Sequence, residues 1–146
     1  MNTVALAALI FALTAPAHGH AQAGTGEPAR LTLTFETGVE TGAVMVSLFD
    51  ADTAYAGGAP VRRAQVDVAG GTGTAVFADL ARGTYALKAF QDVNGDGRLN
   101  INPFGIPIEP VAFSNNAAPN MGAPTWDRTH FTVRGDTRQT IKFSGN

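Results

Sequence analysis

Leu80-Ala81-Arg82-Gly83-Thr84-Tyr85-Ala86-Leu87-Lys88-Ala89-Phe90-Gln91 holds the clearest structural signal in the chain. Gly83 interrupts what precedes it. After it, Tyr85, Leu87 and Ala89 fall on one face at a spacing of two, the period of a β-strand, so residues 84–91 are read as one. Upstream, Ala64, Val66 and Val68 alternate with Gln65 and Asp67, and Gly70-Gly71-Thr72-Gly73 turns the chain into residues 74–77, the pattern of a hairpin. Earlier still, Leu31, Leu33 and Phe35 alternate with Thr32, Thr34 and Glu36, and the near-continuous apolar run 44–49 suits a central strand covered on both faces. Downstream, residues 126–133 and 137–143 read as two closing strands joined by a hairpin turn at Arg134-Gly135-Asp136. No segment sustains a helical period. About seven short strands with closely spaced turns predict an all-β fold, a single antiparallel β-sandwich.

The amino terminus has a different character. Residues 4–15 are uncharged and mostly Ala, Leu, Ile, Phe and Val, a run too short for a permanent bilayer span. Pro16 follows, then Ala21-Gln22-Ala23, the small-x-small pattern a signal peptidase accepts, then polar Gly24-Thr25-Gly26-Glu27-Pro28. Residues 1–23 are expected to be a signal peptide and residues 24–146 the mature domain, periplasmic or secreted, with no membrane span left after cleavage. The absence of cysteine excludes disulfides, a lipid-modified cysteine and thiol chemistry. A net charge of −2 does not supply the basic surface that nucleic-acid binding requires.

The richest site signal is Asp92-Val93-Asn94-Gly95-Asp96-Gly97-Arg98-Leu99-Asn100, which fits the first half of a calcium loop, D-x-N-x-D-G. A hard cation takes oxygen ligands. Asp92, Asn94 and Asp96 offer side-chain oxygens at alternate positions, Arg98 offers its carbonyl, and Asn100 stands where a ligand often acts through water. The twelfth position is Pro103 where a bidentate Glu is expected, which leaves Glu109 to return for that role. A second reading stands beside it: Asn94-Gly95 and Asp96-Gly97 are turn residues in their own right.

These residues also carry a resemblance. F-x-x-L-x-x-G-x-Y-A-L from Phe77, then D-x-N-G-D-G-R-L-N, F-G-I-P-I-E, F-S-N-N and A-P-T-W resemble the exported bacterial proteins grouped as domain of unknown function 2141. The chain departs from that pattern at Asn100, where Asp is usual, and at Pro110-Val111-Ala112, where a Gly-Tyr-Gly-like stretch is usual. The resemblance implies an exported β-sandwich, transthyretin-like or immunoglobulin-like, and implies no activity. The piece from Leu80 to Tyr85 is similar to carboxypeptidase-regulatory-type sandwiches, in which the Tyr closes a corner by bonding back to the chain.

No enzyme constellation emerges. His130 is the one histidine after residue 23, and alternation turns it outward while Phe131 and Val133 turn in. There is no G-x-S-x-G elbow, and Ser47 and Ser114 have no base linked to them in sequence. The expected function is a non-catalytic binding or structural module, its partner an envelope protein or a glycan. Two alternatives remain: a calcium-dependent carbohydrate-binding module using Trp126, Phe104 and Phe113, and a small hydrolase using Asp92, Asp96 and Glu109. The segment 104–125 is too long for an ordinary connection and too apolar for disorder, so Phe104, Ile106, Ile108, Phe113 and Trp126 are the expected contact residues.

Overall fold

The computed structural model describes residues 26–143; the expected signal peptide lies outside the described residues. In chain order the elements are β1 (Ala29–Glu36), β2 (Ala43–Phe49), α1 (Asp52–Gly57), β3 (Arg62–Asp67), β4 (Thr72–Leu80), β5 (Gly83–Asp92), β6 (Val111–Phe113), α2 (Trp126–Thr129), β7 (Phe131–Val133) and β8 (Asp136–Lys142). They form two sheets. The smaller has β1 at its centre, with β4 antiparallel on one side and β8 parallel on the other. The larger runs β3-β2-β5-β6, and β7 pairs with the opening residues of β5.

Period two explains the packing. Leu31, Leu33 and Phe35 of β1 meet Val44, Val46 and Leu48 of β2, Leu87 of β5, Val133 of β7 and Ile141 of β8 in one buried cluster. Each such side chain contributes about 1.5–3 kcal/mol on burial. Tyr85 does close a corner: its hydroxyl donates to the Ala81 carbonyl at 2.8 Å, and burial pushes the phenol above its ordinary pKa.

Several sequence expectations are corrected. Residues 126–133 are not one strand, because only Phe131–Val133 pair with a neighbour, the opening residues of β5. Trp126–Thr129 forms a helical turn, and Trp126 packs against Tyr55. The closing hairpin is absent: β7 joins β5, whose edge the three-residue β6 leaves open there, and β8 crosses to run parallel to β1. β3 and β4 are joined by the expected tight turn, with φ of 58° at Gly70 and 77° at Gly71, but then part into different sheets. Although no segment of the sequence sustains a helical period, Asp52–Gly57 forms α1, held down by buried Tyr55. The long segment 104–125 contains β6 and a 3-10 turn, Ser114–Asn116.

Candidate functional site

β5 ends at Asp92, buried against the start of β2. Gly42 has φ of 91°, and a Cβ there would run into the Asp92 carbonyl, so the two chain segments touch backbone to backbone. From this fixed point residues 93–110 leave the sheet. The Asp92 carboxylate gathers the first turn: Oδ1 accepts from the N–H of Gly95 at 2.7 Å and of Asp96 at 3.2 Å, and Oδ2 accepts from Gly97 N–H at 2.7 Å. Left-handed φ at Gly95 and Gly97 lets those N–H groups converge.

Glu109 closes the loop from the other end. Its carboxylate, also buried, accepts from Val93 N–H at 3.0 Å through Oε1 and from Asn100 N–H at 3.1 Å through Oε2. Between these anchors, Asp96 accepts from Arg98 N–H at 2.8 Å and from the Asn100 side-chain amide at 2.9 Å. The Asn94 amide donates to Asn100 Oδ1 at 2.9 Å. The Asn100 amide and then the Arg98 N–H hold the Asp96 carboxyl below its ordinary pKa.

Above this base the chain makes a second small loop. Asn102 Oδ1 accepts from the N–H groups of Phe104 and Ile106, Asn102 N–H donates to the Ile106 carbonyl, and Ile101 bridges Pro107. Its backbone is largely paired internally, yet its side chains face water. Phe104 is 87 % exposed, and Ile101, Ile106 and Ile108 are 58–59 % exposed; Val93 and Leu99 are exposed to a lesser degree. Residues 99–108 carry no charge. An uncharged apolar finger on a polar, hydrogen-bonded base is the feature that stands out on this surface.

The structure therefore brings Asp92, Asn94, Asp96, Arg98, Asn100 and Glu109 into one hydrogen-bonded base. Among the described residues, however, it gathers no group of three or more His, Cys, Asp or Glu that could hold a metal ion. The expected contact residues divide. Phe104, Ile106 and Ile108 lie on the finger. Phe113 is only 7 % exposed, because β6 pairs with β5 and holds it against the fold, and Trp126 packs on Tyr55 at a ring separation of 6.0 Å. Phe113 is thus buried and Trp126 half-buried.

Sequence reading missed Ser114, Asn115 and Asn116. Ser114 Oγ accepts from Leu87 N–H and donates to the Thr129 carbonyl. Asn115 donates to the His130 carbonyl, and Asn116 accepts from Lys142 N–H and donates to the Thr140 carbonyl. Their left-handed φ values, 59° and 52°, were foreshadowed only by the Asn-Asn pair itself. His130 is exposed and stacks on Trp126, with ring planes 18° apart.

The family model described as "uncharacterized protein conserved in bacteria", domain of unknown function 2141, matches residues 37–142, from just after β1 to the end of β8. The chain belongs to that family. Neither the curated proteins nor the solved structures yield a match.

Proposed function

We propose that this chain is an exported, non-catalytic binding module of the cell envelope that meets its partner through the apolar finger at residues 99–108. The observation that carries the reading is the contrast in use of side chains. Asp92 and Glu109 hold the segment in place through backbone N–H groups, so the side chains of Leu99, Ile101, Phe104 and Ile106 are not spent on anchoring it. A preformed apolar surface binds at low ordering cost, and an aromatic side chain at its centre is a common energetic anchor. The carboxylates proposed for a hydrolase are engaged with backbone N–H groups, and Phe113 and Trp126 are engaged in packing. Both features favour binding through the finger over hydrolysis or glycan stacking.

A calcium ion belongs to this reading as a stabiliser of the base. Asp92, Asn94, Asp96, the Arg98 carbonyl, Asn100 and Glu109 offer oxygen alone, which suits a hard cation, and Glu109 returns to the loop despite its distance in sequence. With few carboxylates the affinity belongs to the weak extracellular class, on the order of 10⁻⁴ to 10⁻³ M.

Site-specific photo-crosslinking in the producing cell tests the contact surface. A benzophenone side chain at position 104 is expected to trap a discrete envelope partner, and one at position 76, an exposed valine on β4, to trap none. Equal products at both positions, or none at 104, would remove the finger from the account.

A further inference from the structure

The outward face of the larger sheet is covered at both ends and bare between them. At one end Phe49, Tyr55, Ala86 and Trp126 pack together; at the other, the chain leaves the sheet at Asp92 for its long loop. In the interval, strand register sets Gln65, Met45 and Phe90 side by side across β3, β2 and β5. The adjoining row holds Arg63, Ser47 and Lys88. A cavity of about 450 Å³ opens here, lined by Met45, Ser47, Arg63, Gln65, Phe90 and Gly97, a size that suits a small molecule.

The lining is amphiphilic in a particular way. Met45 and Phe90 are half-buried and supply an apolar floor, and no Asp or Glu lines the cavity. Arg63 is exposed, and among the described residues the salt bridge joins Lys142 to Glu36, so Arg63 has no carboxylate partner. Lys88 in the same row donates from Nζ to the Tyr55 carbonyl at 2.7 Å and lies 4.1 Å from the Tyr55 ring centre. Its charge is likewise uncompensated by a carboxylate, and burial holds its pKa below the ordinary lysine value. Arg63, a cation without a counter-charge beside an apolar floor, complements a ligand of opposite charge with an apolar body.

We propose that this cradle binds a small organic anion with a flat apolar body. Its carboxylate or sulfonate meets the Arg63 guanidinium, and the body rests on Met45 and Phe90. The site borders the finger's base at Gly97 and uses none of the finger's apolar side chains.

Fluorescence titration of the purified protein with 8-anilinonaphthalene-1-sulfonate tests this. Saturable binding is expected, weakened about tenfold by Arg63→Gln, the loss of one charge-assisted hydrogen bond. Arg62→Gln is the matched control: it removes the same charge from the neighbouring position of β3, where Arg62 Nη1 donates to the Val61 carbonyl, and is expected to leave binding unchanged. N-phenyl-1-naphthylamine, the same ring system without the sulfonate, is expected to bind more weakly and to be indifferent to Arg63→Gln. Loss of dye binding in Phe104→Ser would place the dye on the finger and overturn the proposal. So would equal losses in the two arginine variants, or no saturable binding at all.

Discussion

Two parts of this molecule are rich in aromatic and aliphatic residues outside the main core, and they use them in opposite ways. Where α1 and α2 meet the larger sheet, Phe49, Tyr55 and Trp126 stack edge to face, and Tyr55 is 4 % exposed with its hydroxyl on the Pro124 carbonyl at 2.9 Å. There the apolar side chains are the anchors. In the segment 93–108 the anchors are carboxylates, and the apolar side chains stand in water. How a loop is tied down therefore decides whether its hydrophobic residues are spent on stability or left for contact.

The largest effect that sharpens this contrast is at the aromatic end. Tyr55→Ala removes a buried ring, its hydrogen bond and the seat of the Lys88 cation, and is expected to cost about 3–5 kcal/mol in urea unfolding. A loss under about 1 kcal/mol would show that this end is not anchored by its aromatics. Calcium comes next. At ten times the dissociation constant of the proposed site, it is expected to stabilise the native state by about 1.4 kcal/mol, seen as a raised melting temperature. The same rise in an Asp92→Asn, Asp96→Asn variant, or none in the parent, would leave those residues as turn formers only.

The smallest effect is the titration of Asp96. Its folded pKa lies below the ordinary 3.8, so the order it lends the loop is complete above that value and is lost as pH falls beneath it. The Arg98 amide and the Asn100 side-chain amide, followed by NMR, are expected to shift together with a midpoint below 3.8. A midpoint at or above the ordinary value would break the network at Asp96.

Much of this was legible in the chain. Leu31-Leu33-Phe35 and Tyr85-Leu87-Ala89 point inward as alternation requires, and D-x-N-x-D-G marks the turn that Asp92 gathers. Pairing was not legible. Whether 137–143 sits beside 131–133 or beside β1 depends on which sheet edge is free, a property of the assembled fold. The same limit left the cover of Phe113 and Trp126 unread: hydrophobicity says that a side chain wants cover, and only the neighbours say whether it has it. Glu109 fell between the two. Its residue type suggested a return to the loop, but its target, the N–H groups of Val93 and Asn100, follows from the finger between them.

One comparison of unfolding free energies bears most directly on the claim that polar anchors free the finger for contact. Glu109→Gln sets an amide N–H₂ against one of two backbone N–H groups and is expected to cost about 2 kcal/mol. The triple variant Ile101→Ser, Phe104→Ser, Ile106→Ser is expected to stay within about 0.5 kcal/mol of the parent, because those side chains are exposed. The reverse order, a fragile triple variant beside an unaffected Glu109→Gln, would mean that the finger is held by its own apolar side chains and would contradict the account.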